Sequence, residues 1–499
     1  MAGKSKSPSF VLELKLNTTQ KDEQALNDRF FRCFLMHNKL VRHAGKRLSA
    51  LRQDREYRTL LELRCRLAGK TDAGSKHRLN ETNGRLKELR LSYGLSEYQF
   101  HEWIAVQKHR HEGKIDINTA QKVATQVWKS VEDVLYRKGE TVHFKRFDHF
   151  LSIEGKNNSS GIFFKDGRLR WFNLYIQPRI KHSDVYAMDA LNNRVKYCRI
   201  VRRVMGIRYH YYLQLVLEGT PPEKHRYLPG GTVGIDPGVS TEAAVSERGC
   251  LLEALNLSDT GKQEKLFRRL QRKQDRSLRA ANPDNYNSDG TIKKHCHKFR
   301  KSKTYRRTQN RIKTLHRKAA ATLKQEQRVL ASRILTELGS DIVTEKMNYK
   351  ALQARAKETK TNPGTGRPYS KGRFGKSLKK NAPAQFLAIL EQKLASIGKS
   401  IFYVDTAKYR ASQYDHTAKD YVKKGLDDRV CYLSDGTKVQ RDLYSAFLLF
   451  CMLTGETIDQ SLCEEKFPDF LKMMNDVMET LKHNSSFIRY PDCMGIRNW

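Results

Sequence analysis

Thr232-Val-Gly-Ile-Asp-Pro-Gly238 is the stretch that decides the fold expected for this chain, because it is a short apolar strand that ends in an acidic residue, Asp236. Two later segments carry a carboxylate in a comparable place. Glu345 closes the apolar segment Asp341-Ile-Val-Thr-Glu345, and Asp442 opens an apolar helical pattern. The three residues are 109 and 97 positions apart. Each motif alone is a common turn, strand end or helix cap, but their order along one chain is far more specific.

A strand with Asp, a later strand with Glu and a final helix with Asp form the layout of the RNase H-like fold. Such a platform can hold two divalent cations that share one carboxylate, which is an arrangement that cuts phosphodiesters. Oxygen ligands favour Mg²⁺, with Mn²⁺ as a substitute, over zinc. We therefore predict that Asp236, Glu345 and Asp442 are metal ligands and catalytic residues. Asp405, after strand Ile401–Val404, is an alternative third carboxylate, but the polar segment that follows it lacks the required helical pattern.

The charge of the chain indicates a polyanionic partner. Its 499 residues include 94 Lys and Arg against 54 Asp and Glu, which gives a formal net charge of +40. An excess of this size attracts RNA or DNA and is larger than solubility requires. A membrane surface is the competing partner, but lipid-binding charge is usually concentrated in one tail or helix, and here it is spread along the chain. We expect nucleic acid and no membrane.

No segment indicates export or membrane anchoring. Near the N-terminus, Phe10–Leu16 alternates as a strand does, which is not typical of a signal peptide. The longest apolar run, Tyr444–Leu453, is too short to span a bilayer. The nine cysteines include no C-x-x-C pair, so the spacing indicates neither a disulfide framework nor a thiolate zinc site. A reducing cytoplasm fits these features best.

The period of the apolar residues changes along the chain and predicts its organisation. Residues from about 20 to 137 are helical in pattern, and the clearest helix there begins at Asn118 or Thr119, either of which can cap it. From Val142 to Glu218 the period is two, and the Asp166-Gly167 pair predicts a hairpin. Aromatic and basic side chains interleave on these strands, which favours nucleic-acid contact, although any small barrel produces such faces.

The most basic segment runs from Lys262 to Arg328 and contains 22 Lys and Arg against five Asp and Glu. Residues Arg306–Leu338 predict one long helix, and a further helix is expected at Ala382–Ile397. A charge run is often only a solvated face, but so one-sided an excess favours contact with phosphates. The residues predicted to make this contact are Arg268, Arg269, Arg272, Lys273, Arg306, Arg307, Arg311, Lys313 and Arg317.

At this point the chain resembles a known family. Gly234-Ile-Asp-Pro-Gly238, Val343-Thr-Glu-Lys-Met347, Ala411-Ser-Gln413 and Arg441-Asp-Leu-Tyr-Ser-Ala446 are similar to the split RuvC nuclease motifs of transposon-encoded TnpB proteins and of their descendants, the miniature type V-F CRISPR effector nucleases. The resemblance by motif covers roughly residues 230 to 450. It implies that Asp236, Glu345 and Asp442 are the catalytic metal ligands of an RNA-guided DNA endonuclease, and it adds Ser412 and Gln413 to the nucleic-acid contacts.

The resemblance also implies a multidomain α+β chain. The expected regions are a first wedge strand at 1–19, a helical recognition domain at 20–140, a β-rich wedge domain at 141–229, a RuvC nuclease domain with a basic helical insertion at 230–410, a target-loading subdomain at 411–438, and the last RuvC motif with a C-terminal tail at 439–499. One departure concerns the subdomain, where the family usually carries two cysteine pairs. Only Cys431 remains here, so we expect a zinc-free version that is held by packing.

The function that follows is metal-dependent cutting of double-stranded target DNA, directed by a guide RNA in antiviral defence and located in a prokaryotic cytoplasm. A homodimer is a further expectation from the resemblance. Two alternatives stay open at the level of sequence. These alternatives are a TnpB-type nuclease guided by transposon-derived RNA and a guided DNA-binding protein that does not cleave. The intact acidic triad argues against the second.

Overall fold

The computed structural model describes residues 7–499 except 110–112, 137–138, 207, 223–227, 259–261, 297, 356, 360, 365, 367, 369–373, 406–408, 423–424, 426–427, 453–457 and 485–490. The chain forms two compact units, Met1–Pro222 and Glu223–Trp499. Both units combine helices with sheets, so the prediction of a chain with mixed α and β structure is confirmed. No helix within the described residues has the length and apolar character needed to cross a bilayer.

The described residues of the first unit form five long helices and one short helix. They are α1 Gln20–Gln53, α2 Arg55–Leu67, α3 Ala73–Ser92, α4 Glu97–Lys108, α5 Ile117–Tyr136 and α6 Val185–Leu191. Helix α1 begins with a capping box, in which the Thr19 hydroxyl accepts from the backbone N–H of Asp22 and the Asp22 carboxylate accepts from the backbone N–H of Thr19. The predicted start of α5 was wrong in detail. Asp116, not Asn118 or Thr119, accepts from a first-turn amide at 2.8 Å, because its carboxylate lies just before the helix.

The strands of the first unit are β1 Ser9–Leu16, β2 Ser152–Glu154, β3 Phe163–Lys165, β4 Arg168–Trp171, β5 Leu174–Ile176, β6 Pro178–Arg179, β7 Val195–Met205 and β8 Arg208–Glu218. Five of them form a sheet in the order β2-β7-β8-β1-β6. Strand β1 pairs antiparallel with β8 over seven residue pairs from Ser9 to Lys15. The start of the chain therefore belongs to the same sheet as the β-rich region some 200 residues later.

The predicted Asp166-Gly167 hairpin is confirmed. Strands β3 and β4 pair antiparallel across it, and Asp166 and Gly167 both have positive φ, at 53° and 71°. Two consecutive positive φ values are what a tight hairpin with right-handed strand twist needs, and Asp followed by Gly supplies them at low cost. Strand β5 completes a small three-stranded sheet.

The second unit is built on a five-stranded sheet in the order β11-β10-β9-β12-β13. Its strands are β9 Thr232–Pro237, β10 Thr241–Ser246, β11 Gly249–Ala254, β12 Asp341–Glu345 and β13 Phe402–Val404. Strands β9, β10 and β11 are antiparallel neighbours, and β12 is parallel to both β9 and β13. The two acid-bearing strands, β9 and β12, are therefore adjacent.

Helices cover both faces of this sheet. The helices of the second unit are α7 Lys262–Ala281, α8 Lys303–Arg333, α9 Tyr349–Leu352, α10 Gly375–Asn381, α11 Pro383–Ala395, α12 Arg441–Phe450 and α13 Gln460–His483. Apolar side chains of α8 and α11 pack with Val233 and Ile235 on one face. Those of α12 and α13 pack with Ala243 and Val343 on the other. Alternate residues of each strand therefore point to different helix pairs.

Two predicted helices are present with altered ends. The basic helix expected at Arg306–Leu338 begins earlier, at Lys303, and its last turn, Ile334–Leu338, is a π-helix. The helix expected at Ala382–Ile397 is present as Pro383–Ala395, one residue shorter at its start and two at its end. Ala382 has φ 45°, which separates α10 from α11, and Pro383 opens α11 because a proline at the first helical position loses no hydrogen bond.

Candidate active site

The sheet register brings Asp236 and Glu345 together. Strand β12 pairs in parallel with β9 from Asp341 opposite Thr232 to Thr344 opposite Ile235, a constant offset of 109 residues. Asp236 and Glu345 occupy the next position in the two strands. The hydroxyl of Thr344 also donates to the backbone oxygen of Ile235 at 2.8 Å, just before both acids. The separation seen in the sequence is therefore the register of the sheet.

Gly234 brings the helix of Asp442 onto the same sheet. A Cβ atom at Gly234 would lie 2.0 Å from the backbone oxygen of Ala446 and 2.3 Å from the backbone nitrogen of Phe450, both in α12. Only a residue without a side chain permits this approach. Asp236 lies two residues further along β9, on the face that carries α12, and Asp442 is in the first turn of α12. The Gly-x-Asp spacing thus combines a close helix contact with a carboxylate.

The charges of Asp442 and Glu345 both act on Asp236. Burial raises the pKa of Asp236 well above its usual range, and the negative charges of Asp442 and then Glu345 raise it further. The nearby guanidinium groups of Arg441 and Arg429 lower it, but less. Like charges that face each other in a poorly solvated place favour either a proton or a metal cation between them. Asp236 as a residue is only half-buried, so solvent still reaches part of it.

Glu345 presents an oxygen without a partner. Its side chain is buried, with 7% of the residue exposed, and Oε1 has no hydrogen-bond partner among the described residues. Burial raises the pKa of Glu345, and a hydrogen bond from the backbone of Ala411 opposes that rise. An unsatisfied buried acceptor is unfavourable unless something binds it. A hard cation is the natural partner for such an oxygen.

Asp442 is held by two arginines. Its carboxylate accepts hydrogen bonds from Nη1 of Arg429 at 3.0 Å to each oxygen, and Nη2 of Arg441 lies 3.3 Å from Oδ1. Each carboxylate oxygen has two lone pairs, so an arginine can orient the carboxylate with one of them and leave the other available to a cation. Asp442 is 8% exposed. The two guanidinium groups therefore compensate the negative charge of Asp442. Arg429, which contacts both oxygens, contributes more to the orientation of the carboxylate than Arg441, which contacts one.

The donor set fits hard divalent cations in chemistry, since all three side chains offer carboxylate oxygens and one of those oxygens is unsatisfied. The positions of these side chains, however, do not yet form a coordination site. Within the described part of the chain, no three His, Cys, Asp or Glu side chains are grouped closely enough to form a ready metal site. The carboxylates would have to converge as an ion binds.

Sequence reasoning missed two residues near Asp236. Glu242 on β10 is fully buried, neither of its carboxyl oxygens has a hydrogen-bond partner within the described residues, and burial followed by the charge of Asp236 raises its pKa well above the usual range. The hydroxyl of Tyr349 is also buried without a described partner, and the charge of Glu242 contributes to the raised pKa of Tyr349. An acidic residue in the otherwise uncharged strand Thr241–Ser246 was the available signal.

Asp405, the alternative third carboxylate, lies at the end of the neighbouring strand. It follows β13, which pairs with β12 through Val404 opposite Glu345, and it is exposed. The groups that shift the pKa of Asp236 do not include Asp405. The preference for Asp442 over Asp405 stays a prediction, and the structure brings Asp442, not Asp405, into electrostatic contact with Asp236.

The predicted phosphate contacts lie on α7 and α8. Helices α7 and α8 pack side by side, and the rings of Phe267 and His316 stack between them with centroids 4.2 Å apart. The exposed members of the predicted set are Arg268, Arg269, Arg272, Lys273, Arg306, Arg307, Arg311 and Lys313, and Arg317 is half-buried. Ser412 is exposed and Gln413 half-buried in the turn before β14, Tyr414–Asp415. Whether these side chains bind nucleic acid stays a prediction.

A buried carboxylate organises the segment expected to lack zinc. Asp415 is 2% exposed and accepts from the backbone N–H and hydroxyl of Ser434, both at 2.8 Å, and from the same groups of Thr417 at 3.0 and 2.7 Å. Burial would raise the pKa of Asp415, but these hydrogen bonds outweigh it and hold the pKa below its usual value. Nδ1 of His416 lies 2.7 Å from the Tyr444 hydroxyl. Hydrogen bonds as well as packing therefore hold this segment.

Two comparisons with known proteins give no match, since no family model and no curated protein matches the chain. Solved structures do match. A cryo-EM structure of a Cas12f1–sgRNA–target DNA complex aligns at a TM-score of 0.42 and 9% identity, over 88% of this chain and 98% of that one. A CRISPR-Cas12f ternary complex aligns at a TM-score of 0.27 and 12% identity, over 87% and 85% of the two chains.

The mini-RNA-guided endonuclease CRISPR-Cas_phi3 aligns at a TM-score of 0.24 and 12% identity, over 62% of this chain and 65% of that one. The resemblance to miniature type V effectors that the motifs predicted is thus confirmed as a similarity between structures. It is a distant similarity at these identities and TM-scores.

Proposed function

We propose that this protein is an RNA-guided endonuclease of the CRISPR effector class that cuts target DNA by metal-dependent hydrolysis of a phosphodiester. The observation that carries the proposal is that Asp236 lies within electrostatic reach of both Asp442 and Glu345, with the three acids placed on two adjacent strands and one helix. The mixed sheet, with its acid-bearing strands adjacent and a helix packed against them through Gly234, supports the RNase H-like (RuvC) assignment.

The roles of the residues follow from their surroundings. Asp236, Glu345 and Asp442 would hold the metal ions, and Asp236 is the residue on which the charges of both other acids act. When bound, two Mg²⁺ ions supply Lewis-acid activation of the phosphodiester and stabilise the developing negative charge. The protein contributes a rigid sheet, a carboxylate oriented by Arg429 and an unsatisfied Glu345 oxygen. A bound cation would also keep Asp236 ionised, against the pKa rise that its neighbours cause.

The partners we propose are a guide RNA and double-stranded target DNA. The formal charge of +40 and the exposed basic side chains of α7 and α8 support a long polyanionic ligand. In such a system base pairing selects the sequence, and the protein recognises backbone shape and a short flanking duplex. A basic pair of helices suits that role because its contacts are to phosphates and carry no sequence information.

The test begins with the RNA that accompanies the protein when it is purified from cells carrying its native locus. Repeat-and-spacer RNA would support the interpretation as a CRISPR effector, and RNA from a transposon end would indicate a TnpB-type nuclease. The absence of any enriched RNA would refute RNA-guided action. The recovered RNA then programmes a cleavage assay with Mg²⁺. Asp236→Ala is expected to abolish cutting and to leave RNA and target affinity within about twofold.

The matched control is Asp405→Ala, which removes an exposed carboxylate at the end of the neighbouring strand and is expected to cut like the parent protein. Loss of cutting in both variants, or a loss of target binding in Asp236→Ala that equals the loss of cutting, would contradict the assignment of the metal site.

A further inference from the structure

The last described segment of the chain, residues 491–499, is packed against the second unit. Met494 and Ile496 are 2% and 3% exposed and belong to the apolar core that also contains α12 and α13. The Lys438 ammonium lies 4.8 Å from the centroid of the Trp499 ring, and Nζ of Lys482 donates to the backbone oxygen of Trp499 at 3.3 Å. Segment 491–499 is therefore anchored at its middle and at its end.

Gln440 links this segment to the helix that carries Asp442. Gln440 is fully buried and caps α12, since its side-chain oxygen accepts from the backbone N–H of Leu443 at 2.6 Å. Its side-chain nitrogen donates to the backbone oxygen of Met494 at 3.4 Å. One amide group thus holds the first turn of α12 with its oxygen and segment 491–499 with its nitrogen.

Gly495 provides a second link, through Arg429. The backbone of Gly495 has φ 74°, and a Cβ atom there would lie 3.0 Å from the Cβ of Arg429 and 3.2 Å from Cγ2 of Val430. Arg429 is the residue whose guanidinium group contacts both oxygens of Asp442. The backbone at Gly495 therefore lies directly against the residue that orients the carboxylate, and a methyl group there would require Arg429 or Val430 to move by a few tenths of an ångström.

We propose that segment 491–499 positions the catalytic carboxylate Asp442, through Gln440 at the helix start and through Arg429 at the carboxylate itself. This inference rests on the proposed function, because it gives the segment a role in the same metal-dependent reaction. Gln440, Arg429 and Gly495 are positioning residues in this scheme. Their contribution is to keep Asp442 in the orientation that binds a cation, and a displacement of about 1 Å at such a site can reduce a rate about 100-fold.

The experiment compares two glycine substitutions. Gly495→Ala adds a methyl group against Arg429, whereas Gly436→Ala adds one in the turn between β15, Val430–Tyr432, and β16, Lys438–Gln440, where nothing lies within 4 Å. Both glycines have positive φ, 74° and 84°, so the backbone strain of the two substitutions is matched. Any difference between the variants reports the contact of segment 491–499 with Arg429 and Val430.

Three quantities are measured on the full chain with its guide RNA: the single-turnover cleavage rate at saturating target, the Mg²⁺ concentration for half-maximal rate, and the target dissociation constant. We expect Gly495→Ala to lower the rate and raise the Mg²⁺ requirement by about tenfold each, and to leave target binding unchanged. Gly436→Ala is expected to match the parent protein. Equal behaviour of the two variants overturns the proposal, and so does a loss confined to target binding.

Hydrogen exchange of residues 441–446 provides a readout that needs no activity. We expect faster exchange there in Gly495→Ala than in Gly436→Ala. If the parent protein shows no Mg²⁺-dependent cutting, the proposed function fails, and exchange alone decides whether segment 491–499 supports the start of α12. If Gly495→Ala does not fold, Trp499→Ala loosens the same segment from its anchored end. Unchanged exchange in Trp499→Ala then overturns the proposal.

Discussion

Gly234→Ala is the substitution whose effect the structure defines most sharply. The new methyl group would lie 2.0 Å from the backbone oxygen of Ala446 and 2.3 Å from the backbone nitrogen of Phe450. Carbon atoms do not approach such atoms closer than about 3 Å, so α12 has to move away from β9 by about 1 Å. Both obstructing atoms belong to the backbone, so no side chain can rotate to relieve the overlap.

The loss of stability in Gly234→Ala follows from the size of this helix displacement. Overpacking a well-packed core costs about 1–3 kcal/mol and more where the backbone has to move, so we expect about 3 kcal/mol. For a unit of this size that corresponds to a melting temperature lower by about 6–12 °C. Asp442 moves with α12, so cleavage is expected to fall about 100-fold even at temperatures where the variant is folded.

The assay is thermal unfolding of the full chain together with hydrogen exchange of α12, followed by cleavage at a temperature below both transitions. Gly249→Ala is the control, because it adds a methyl group to the same sheet at a place where its nearest neighbour is the Leu338 side chain at 3.5 Å. A melting temperature for Gly234→Ala within one or two degrees of that of Gly249→Ala would refute the account of how the helix reaches the sheet.

Further predictions concern charge. Without metal, the raised pKa of Asp236 means that the folded state holds a proton more strongly, so the free energy of unfolding falls as pH rises from about 4 towards the folded pKa. Urea titrations should show a smaller fall in Asp236→Asn than in the parent protein, because Glu242 and Glu345 still contribute, and added Mg²⁺ should reduce the fall in the parent. The lowered pKa of Asp415 works in the opposite direction, since its stabilisation is present above about pH 3.9 and is lost as pH falls through the folded pKa. Asp415→Asn should therefore unfold more easily at pH 7 and lose less stability on acidification. Glu242→Leu should raise the melting temperature, because it replaces an unpartnered buried carboxyl group, a change often worth about 1–4 kcal/mol. Arg311→Gln should weaken RNA or DNA binding and make the slope of log K against log salt shallower by about one, and an unchanged slope would remove Arg311 from the phosphate contacts.

Local elements were predictable because their determinants are neighbours in sequence. The alternation of Phe10–Leu16 and the Asp166-Gly167 turn encode their own strand and hairpin, and the structure contains both. The ends of helices were predicted less well. Asp116 caps α5 in place of Asn118 or Thr119, because several polar residues compete at a helix start and only the folded backbone selects one.

The sequence by itself determined the three carboxylates, their order on strand, strand and helix, and the strongly basic character of the chain. Each carboxylate is recognisable from the residues next to it in the sequence, and the basic character follows from the composition. Only the tertiary structure decided that Arg429 orients Asp442, that Glu242 is buried beside Asp236, and that segment 491–499 contacts Gln440. These contacts join residues far apart in the chain, and they depend on the sheet register and on the close helix contact at Gly234, which arise only when distant surfaces pack together.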